Sequence, residues 1–478
     1  MEYQNDNKFN PLLINKEYLI LNNSINDGEK NNNITDNLKF KQFYLNKPFF
    51  STLSNISLKE NVWEYKNIFN NYFCLCKGSI CYFSNITQEC KYRFYLNLID
   101  ENKDLYNKTD YLLADFFFAR CSSDDAFPIF KEMINQNISA HYMDGKLSLY
   151  NMFCKQEKHC LKIIPVINEN IIIDGDFLEK YLDIILKLKA VIAGTEYFSL
   201  NNIFKYINYI TYINLGHGVK YFKNFLYKEY ASYKRYNKLV LPPSKKIIYF
   251  AQKYGWKDHN IIKNCLPKWD KYDIYKHNIK NYKKKNEKSI FIFFTWRLMK
   301  DRIVDVSPYY IKNIIKLINN NELNKALKEY NITLYFALHH MLRNYKDEMK
   351  SNKLYIFIEQ NQISDCLTKA NLLITDFSSV IFDMIYQKKP YIMFIPDSED
   401  ENIKDLYIQG YYDIINGLKN GSFYFENKYL NVTGAINKII YYIKNDFLIE
   451  SPLSDFYKSF ELDCKNNTRN FINYLIKN

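Results

Sequence analysis

One rhythm in the second half of this chain limits what it can fold into. Leu372–Thr375 is an uninterrupted apolar run, Ser378–Gln387 has helical spacing, and Tyr391–Ile395 is apolar again. A strand, a helix and a strand in under about 30 residues form a βαβ unit. Unbroken apolar runs of this length suit strands buried on both faces of a parallel sheet. The same alternation predicts strands over Ser289–Phe294, Thr333–Leu338 and Leu354–Ile358, one amphipathic helix over Pro308–Tyr330, and a short helix over Ser364–Lys369. Upstream it predicts strands over Tyr111–Phe118, Ser139–Met143, Leu186–Ala193 and Tyr209–Leu215, and a helix over Ala126–Gln136 capped from Ser122-Ser123-Asp124-Asp125. The fold class is therefore α/β, with two Rossmann-like domains facing a cleft at the carboxyl ends of their sheets. The expected boundaries are an N-terminal accessory extension over 1–105, one Rossmann-like domain over 106–280 and a second over 281–478. The Lys-rich stretch 280–288 separates the two domains. The extension has few clear signals; Tyr92–Leu96 alternates like a strand. No internal sequence repeat links the two halves.

Composition agrees with a globular chain. Of 478 residues, 47% are hydrophobic and 24% charged, which excludes a disordered polymer. The 44 Tyr and 35 Phe, with abundant Asn, Ile and Lys, read as coding bias rather than an aromatic function. The net charge of +13 suits nucleic acid, an anionic membrane face or phosphate-bearing substrates. The densest basic run, Lys283 to Lys288, reads as a solvated linker, and no RNA-recognition, zinc-finger or basic-zipper signature occurs, so nucleic acid ranks last. The start of the chain lacks a signal-peptide layout. No stretch reaches the roughly 20 apolar residues of a membrane span; the best, Tyr181–Gly194, is broken by Asp183, Lys187 and Lys189. The expected location is the cytoplasm, with room for peripheral contact on the inner face of the cell membrane.

Ten cysteines in such a compartment are expected to be mostly reduced. Cys74, Cys76, Cys81 and Cys90 cluster, but their C-x-C-x4-C-x8-C spacing lacks paired C-x2-C knuckles. Buried thiols are the preferred reading over a metal site, and neither a metal nor a cofactor is expected.

Candidate chemistry sits at strand ends. Gly216-His217-Gly218 follows an apolar run; flanking glycines permit a sharp turn, and His217 there suits a general base. Thr375-Asp376-Phe377-Ser378-Ser379 lies between a strand and a helix. The Ser378 and Ser379 hydroxyls, with free amides at a helix start, make a phosphate cradle; simple capping by Asp376 or Ser378 is the compatible alternative. Asp383 is expected to face solvent or the preceding loop. In Phe294-Thr295-Trp296-Arg297 the guanidinium is placed to reach a phosphate. His339-His340 ends another strand, and one of the two suffices for the cleft. No Walker A, nucleophile elbow or zinc-protease motif is present, and no DxD metal motif stands out between the two halves.

Taken in order, these motifs resemble the CDP-glycerol glycerophosphotransferase family, of the teichoic-acid primase and polymerase type. Asn214–Val219 is similar to its His-Gly motif, and Leu241-Pro242-Pro243-Ser244 to its segment in which a Ser starts a helix. Cys265–Asp270 resembles its Gly-aromatic-Pro-Arg-Asn-Asp stretch, Phe294–Arg297 its Pro-Thr-aromatic-Arg, and Leu338-His339 its His-Pro. Thr375–Asp383 matches its Thr-Asp-Tyr-Ser-Ser block closely, and Pro390, Pro396-Asp397 and Gly410-Tyr411-Tyr412 continue the match. The resemblance covers about residues 185 to 415. It implies a GT-B fold and metal-independent transfer of glycerol phosphate from CDP-glycerol to a hydroxyl, with release of CMP. It implies His217 as base, His339 and Arg297 as neutralisers of the diphosphate, Ser378 and Ser379 as phosphate ligands, and Asp376 as the residue that orients their loop. Thr295 and Ser244 join the donor-binding set. The chain departs from the pattern at Leu215, His340, Lys268 and Trp269. The donor can therefore be CDP-glycerol, CDP-ribitol or another nucleotide-activated donor, and the acceptor a polysaccharide or lipid-linked molecule. A GT-B glycosyltransferase using a nucleotide sugar for capsule or lipopolysaccharide synthesis is the alternative enzyme. A binding or scaffolding protein that keeps the fold without the chemistry is the alternative from another class.

Overall fold

A computed structural model describes the chain almost throughout from Lys238 to Asn478, with gaps at 254, 283–286, 302–303, 350–354 and 360–361. Before that it describes 74–76, 79–81, 96, 98–100, 102–114, 126–144, 163–165, 181–194, 207, 209–216, 218–219 and 221–222. His217, Asp124, Asp125, Cys90, Cys121, Cys154 and Cys160 lie outside the described residues, as do the side chains of Cys74, Cys76 and Cys81.

The strands number in chain order. A short antiparallel pair comes first, β1 (Cys74–Cys76) and β2 (Ser79–Cys81). Then come β3 (Asp110–Ala114), β4 (Ala140–Asp144), β5 (Ile163–Pro165), β6 (Leu188–Ala193), β7 (Thr211–Asn214), β8 (Lys238–Leu241) and β9 (Ile261–Lys263). These seven form one sheet in the order β5-β4-β3-β6-β7-β8-β9. The second sheet draws on β10 (Ser289–Phe294), β13 (Thr333–Leu338), β14 (Ile356–Phe357), β15 (Leu372–Thr375), β16 (Tyr391–Phe394) and β17 (Lys428–Tyr429), in the order β14-β13-β10-β15-β16-β17. Every pairing in this second sheet is parallel. Between β10 and β13 a small ribbon pairs β11 (Arg297–Leu298) with β12 (Val304–Asp305). All six residues of β10 are buried, as expected of a central strand covered on both faces.

By packing, the described chain divides into two compact units. The described residues within Tyr111–Glu169, Ala190–Phe198 and Thr211–Asn478 form one and carry the elements that matter below. The other includes the helix Leu182–Lys187, whose Leu186 carbonyl accepts from Lys108 Nζ at 2.6 Å. In the larger unit the C-terminal helix Asn467–Lys477 returns to the first sheet. Its Phe471, Ile472 and Leu475 join Ile129, Phe130 and Met133 of the helix Phe127–Asn135 in one core. Burial of such side chains contributes about 1.5–3 kcal/mol each.

Several expected elements differ in detail. The single helix expected over Pro308–Tyr330 is two, Pro308–Ile318 and Asn321–Glu329. Asn320 is extended between them, and its side chain accepts the Leu323 N–H at 2.9 Å, so an Asn cap interrupts a continuous apolar stripe. Leu96, expected at the end of a strand, is helical. The helix expected from Ser378 starts at Ile381. Two of the thiols expected to be mostly reduced, Cys265 and Cys464, form a disulfide, while Cys366 is free.

Candidate functional site

Numbered within itself, the second sheet runs 3-2-1-4-5-6, with β10 as its first strand. The strand order reverses between β10 and β15, which makes the carboxyl ends of these strands the topological switch point where sheets of this class bind ligands. The loops after β13, β10 and β15 stand side by side, and they carry His339, then Thr295 and Arg297, then Asp376, Ser378 and Ser379.

Arg297 is fully buried between two carboxylates that are also fully buried. Nη1 donates to Asp376 Oδ2 at 2.7 Å, while Nε and Nη2 donate to Asp397 at 2.9 and 3.0 Å. Nη1 also donates to the Thr295 carbonyl at 3.2 Å. Its guanidinium lies 4.2 Å from the Phe377 ring centroid and 5.0 Å from that of Tyr310. Burial opposes its charge, but Asp397 and Asp376 override this and hold it well above the ordinary range. The expectation that this side chain reaches outward to a phosphate is at odds with that burial. Asp376 accepts the Thr295 N–H at 3.2 and 3.3 Å and the guanidinium, rather than capping the next helix. Thr295 is buried, and its carbonyl also accepts the Tyr310 hydroxyl at 2.6 Å.

Ser378 is buried and Ser379 half-buried. The amides of Ile381, Phe382 and Asp383 bond the carbonyls three residues back, of Ser378, Ser379 and Val380. Those three amides are therefore occupied, and a cradle here draws on the two serines and the amides that precede Ile381. His339 is half-buried, its ring centroid 6.2 Å from that of Phe293 and 6.1 Å from that of Trp296.

The loop after β7 meets this region. Asn214 is fully buried, and its Oδ1 accepts the Gly216 N–H at 2.7 Å. Gly216 has φ +63°, in the left-handed region that glycine adopts without steric cost. Two residues on, Gly218 presses its backbone against Ser379. A Cβ on Gly218 would lie 2.3 Å from Ser379 Oγ and 2.7 Å from Ser379 Cβ. The His-Gly loop thus meets the Ser pair at Gly218, with His217 itself outside the described residues.

Ser244 is elsewhere. It is fully buried, and its Oγ faces the Ile247 N–H at 3.5 Å, at the start of the helix Lys245–Lys253. No described contact joins it to the other candidates. Asp383, expected to face solvent or the preceding loop, is buried against the segment 268–272. It accepts Trp269 Nε1 at 2.7 Å and the Tyr272 hydroxyl at 3.1 Å, with Lys268 Nζ 3.7 Å away. Asp397, Tyr310 and Trp269 were not among the candidate site residues, although Asp397 continues the family match and Trp269 is one of the departures from it. The signal for Asp397 was its place at the end of a strand, directly after Pro396. Among the described residues no group of three or more His, Cys, Asp or Glu is arranged to hold a metal ion, and no helix is long and apolar enough to cross a membrane.

Comparison with known proteins adds to this geometry. The model of a family described as CDP-glycerol:poly(glycerophosphate) glycerophosphotransferase matches residues 123–417. The chain is 28% identical over 235 residues to the minor teichoic acid biosynthesis protein GgaB of Bacillus subtilis (strain 168), covering 46% of this chain and 24% of that one. It is 27% identical over 189 residues to the teichoic acid glycerol-phosphate primase of the same organism, covering 39% and 46%. It thus spans less than half the length of these relatives. Among solved structures, the wall teichoic acid polymerase TagF superposes with a TM-score of 0.55 at 16% identity, covering 82% of this chain and 93% of that one. That likeness establishes the GT-B fold.

Proposed function

This chain belongs to the CDP-glycerol:poly(glycerophosphate) glycerophosphotransferase family, and from that premise we propose that it moves glycerol phosphate, or a related polyol phosphate, from a CDP-activated donor to a hydroxyl of a cell-surface polysaccharide or teichoic-acid-like acceptor. The acceptor oxygen attacks the phosphorus of the glycerol phosphate, the bond from that phosphorus to CMP breaks, and CMP leaves with the bonding pair. His217 takes the proton of the acceptor hydroxyl. His339 offsets charge on the diphosphate, Ser378 and Ser379 hold its oxygens, and Asp376 and Thr295 set their loop. Ser244 contributes through the helix it caps. Such a reaction asks mainly for positioning and electrostatic stabilisation, which groups fixed at strand ends supply without reorganising. The peptide backbone of Gly218 against Ser379 is the observation that supports this most directly, because it brings the base-bearing loop to the phosphate-holding loop. The named relatives are teichoic acid proteins, and one TagF structure was soaked with CDPG. A basic surface suits an anionic, lipid-linked acceptor at the inner membrane face.

The test is nucleotide release by the full chain offered CDP-glycerol, CDP-ribitol, UDP-sugars and CMP-sugars, with product mass measured on the best donor. CMP from a CDP-polyol, lost in His217→Ala and Ser378→Ala, is expected. Consumption of a UDP-sugar in preference would replace the proposal with a glycosyl transfer, and full turnover in both variants would overturn the site.

A further inference from the structure

The switch point between β10 and β15 is held together by charge. Four of the five N–H donors of Arg297 go to Asp376, Asp397 and the Thr295 carbonyl. Those partners sit on the loops that leave β10, β15 and β16. One guanidinium therefore ties three neighbouring strand ends, with Phe377 and Tyr310 against its ring-facing surfaces. Asp376 stands two residues before Ser378, and its carboxylate is fixed at two points, by the guanidinium and by the Thr295 amide. Without the guanidinium, the buried Asp376 carboxylate would lose this counter-charge beside a loop meant for phosphate, which is costly in itself and repulsive to an anion.

We propose that Arg297 and Asp397 are positioning residues that brace the Asp376–Ser379 loop from inside the sheet, and that Arg297 is not a ligand of the donor phosphates. The inference rests on the proposed role of Ser378 and Ser379, and it replaces the outward-reaching Arg297 that the motif suggested. Arg is suited to the task because its planar fork serves one carboxylate bidentately while leaving a third nitrogen face for another. Asp397 is the partner that aims the fork. Its two oxygens hold Nε and Nη2, which turns Nη1 toward Asp376.

Asp397→Asn is the informative variant, since it keeps the shape and leaves a one-to-one Arg297–Asp376 pair in the interior. The full chain would be followed by amide hydrogen exchange and by steady-state CMP release from CDP-glycerol. The brace predicts exchange at least tenfold faster in peptides over 375–381, with peptides over β13 unchanged. It predicts a kcat at least tenfold lower with KM within threefold. Exchange unchanged at 375–381 overturns it, and exchange faster across the whole second sheet shows a purely structural pair and overturns it too. Loop exchange that rises with turnover intact overturns the link to the reaction. Should Asp397→Asn not fold, Arg297→Lys carries the same measurements, because a single ammonium cannot hold the fork geometry. If the unaltered protein releases no CMP from CDP-glycerol, the proposed reaction falls while the exchange measurement still judges the brace.

Discussion

Replacing Gly218 with Ala tests the convergence of the two loops at a single atom. The added Cβ would sit 2.7 Å from Ser379 Cβ and 2.3 Å from Ser379 Oγ. The hydroxyl can rotate away, but the Cβ cannot leave without moving its backbone. Relief therefore requires a shift of roughly 0.7 Å between the loop after β7 and the loop after β15, and overpacking of this kind costs about 1–3 kcal/mol. A displacement near 1 Å between groups that must cooperate costs on the order of 10²-fold in rate. The expected result for Gly218→Ala is a lower unfolding midpoint and a fall in kcat/KM for the CDP-polyol donor of about two orders of magnitude. The decisive partner is Ser379→Gly. It removes both clashing atoms, and the nearest remaining atom, Ser379 Cα, stands 3.9 Å away, an ordinary contact. In a double-mutant cycle the stability loss of Gly218→Ala should therefore vanish in the Ser379→Gly background, a coupling of about 1–3 kcal/mol. Activity should not return fully, because the Ser379 hydroxyl is gone. An alanine at 218 that leaves midpoint and turnover unchanged, or a cycle with no coupling, would refute the contact and with it the main support for the proposed site.

Other perturbations probe the parts behind the site. Trp269→Phe keeps the stack on Tyr386, whose centroid is 4.5 Å away, but removes the shortest donor to Asp383; denaturant midpoints should reveal a loss of about 1–3 kcal/mol, and no change would mean the bond carries nothing. Reducing the Cys265–Cys464 disulfide, or Cys265→Ser, opens a closure spanning 199 positions. Chain entropy alone predicts about 5 kcal/mol at most, so a melting temperature indifferent to reductant would exclude the crosslink. Burial, then the nearby Lys276, pushes the Lys389 ammonium down to about 8 from 10.5. The unfolded chain thus holds more protons than the folded one between these values, so this group makes stability rise with pH across that window. Lys389→Met should be more stable at pH 7 and should flatten the rise; a pH profile identical to that of the unaltered chain would refute the shift.

The elements read most accurately from the sequence were the central strands of the second sheet. β10, β13 and β15 span the residues read from the sequence, because apolar runs with a Ser or Thr only at one end mark strands packed within a parallel sheet. The break between Pro308–Ile318 and Asn321–Glu329 was hidden because both helices keep the same apolar period and a single Asn cap divides them. At the candidate site, strand-end position singled out Arg297, His339, Asp376 and the serines as candidates, and the family resemblance added Thr295. Their partners were another matter. Arg297 binds carboxylates 79 and 100 residues away, and Asp383 accepts from residues 114 and 111 positions upstream. Strand order decides such pairs, and local pattern carries no record of it. A motif arginine therefore looks outward until the sheet is assembled, and then its carboxylates are found beneath it.

The departures from the family pattern over 265–270 follow from the same point. Each changed residue there has an interior partner. Cys265 is bonded to Cys464, Trp269 donates to Asp383 and stacks on Tyr386, and Lys268 approaches Asp383. Asp270, which keeps the pattern, accepts the amides of Asn467 and Thr468 at 2.7 and 2.8 Å and so starts the C-terminal helix. This short stretch joins the exit of β9, the helix Ile381–Gln387 and the returning C-terminal helix. Asp383 and Tyr386 both lie on Ile381–Gln387, the helix entered from the Ser378–Ser379 loop. The substitutions therefore act on the support of that loop and leave its serines as the family has them. A buried acceptor can exchange one donor for another at modest net cost provided it is not left unpaired, whereas a group that must meet a phosphate has no such freedom. On that physical ground, divergence at Cys265, Lys268 and Trp269 argues for a repacked support and gives no reason to assign a different donor.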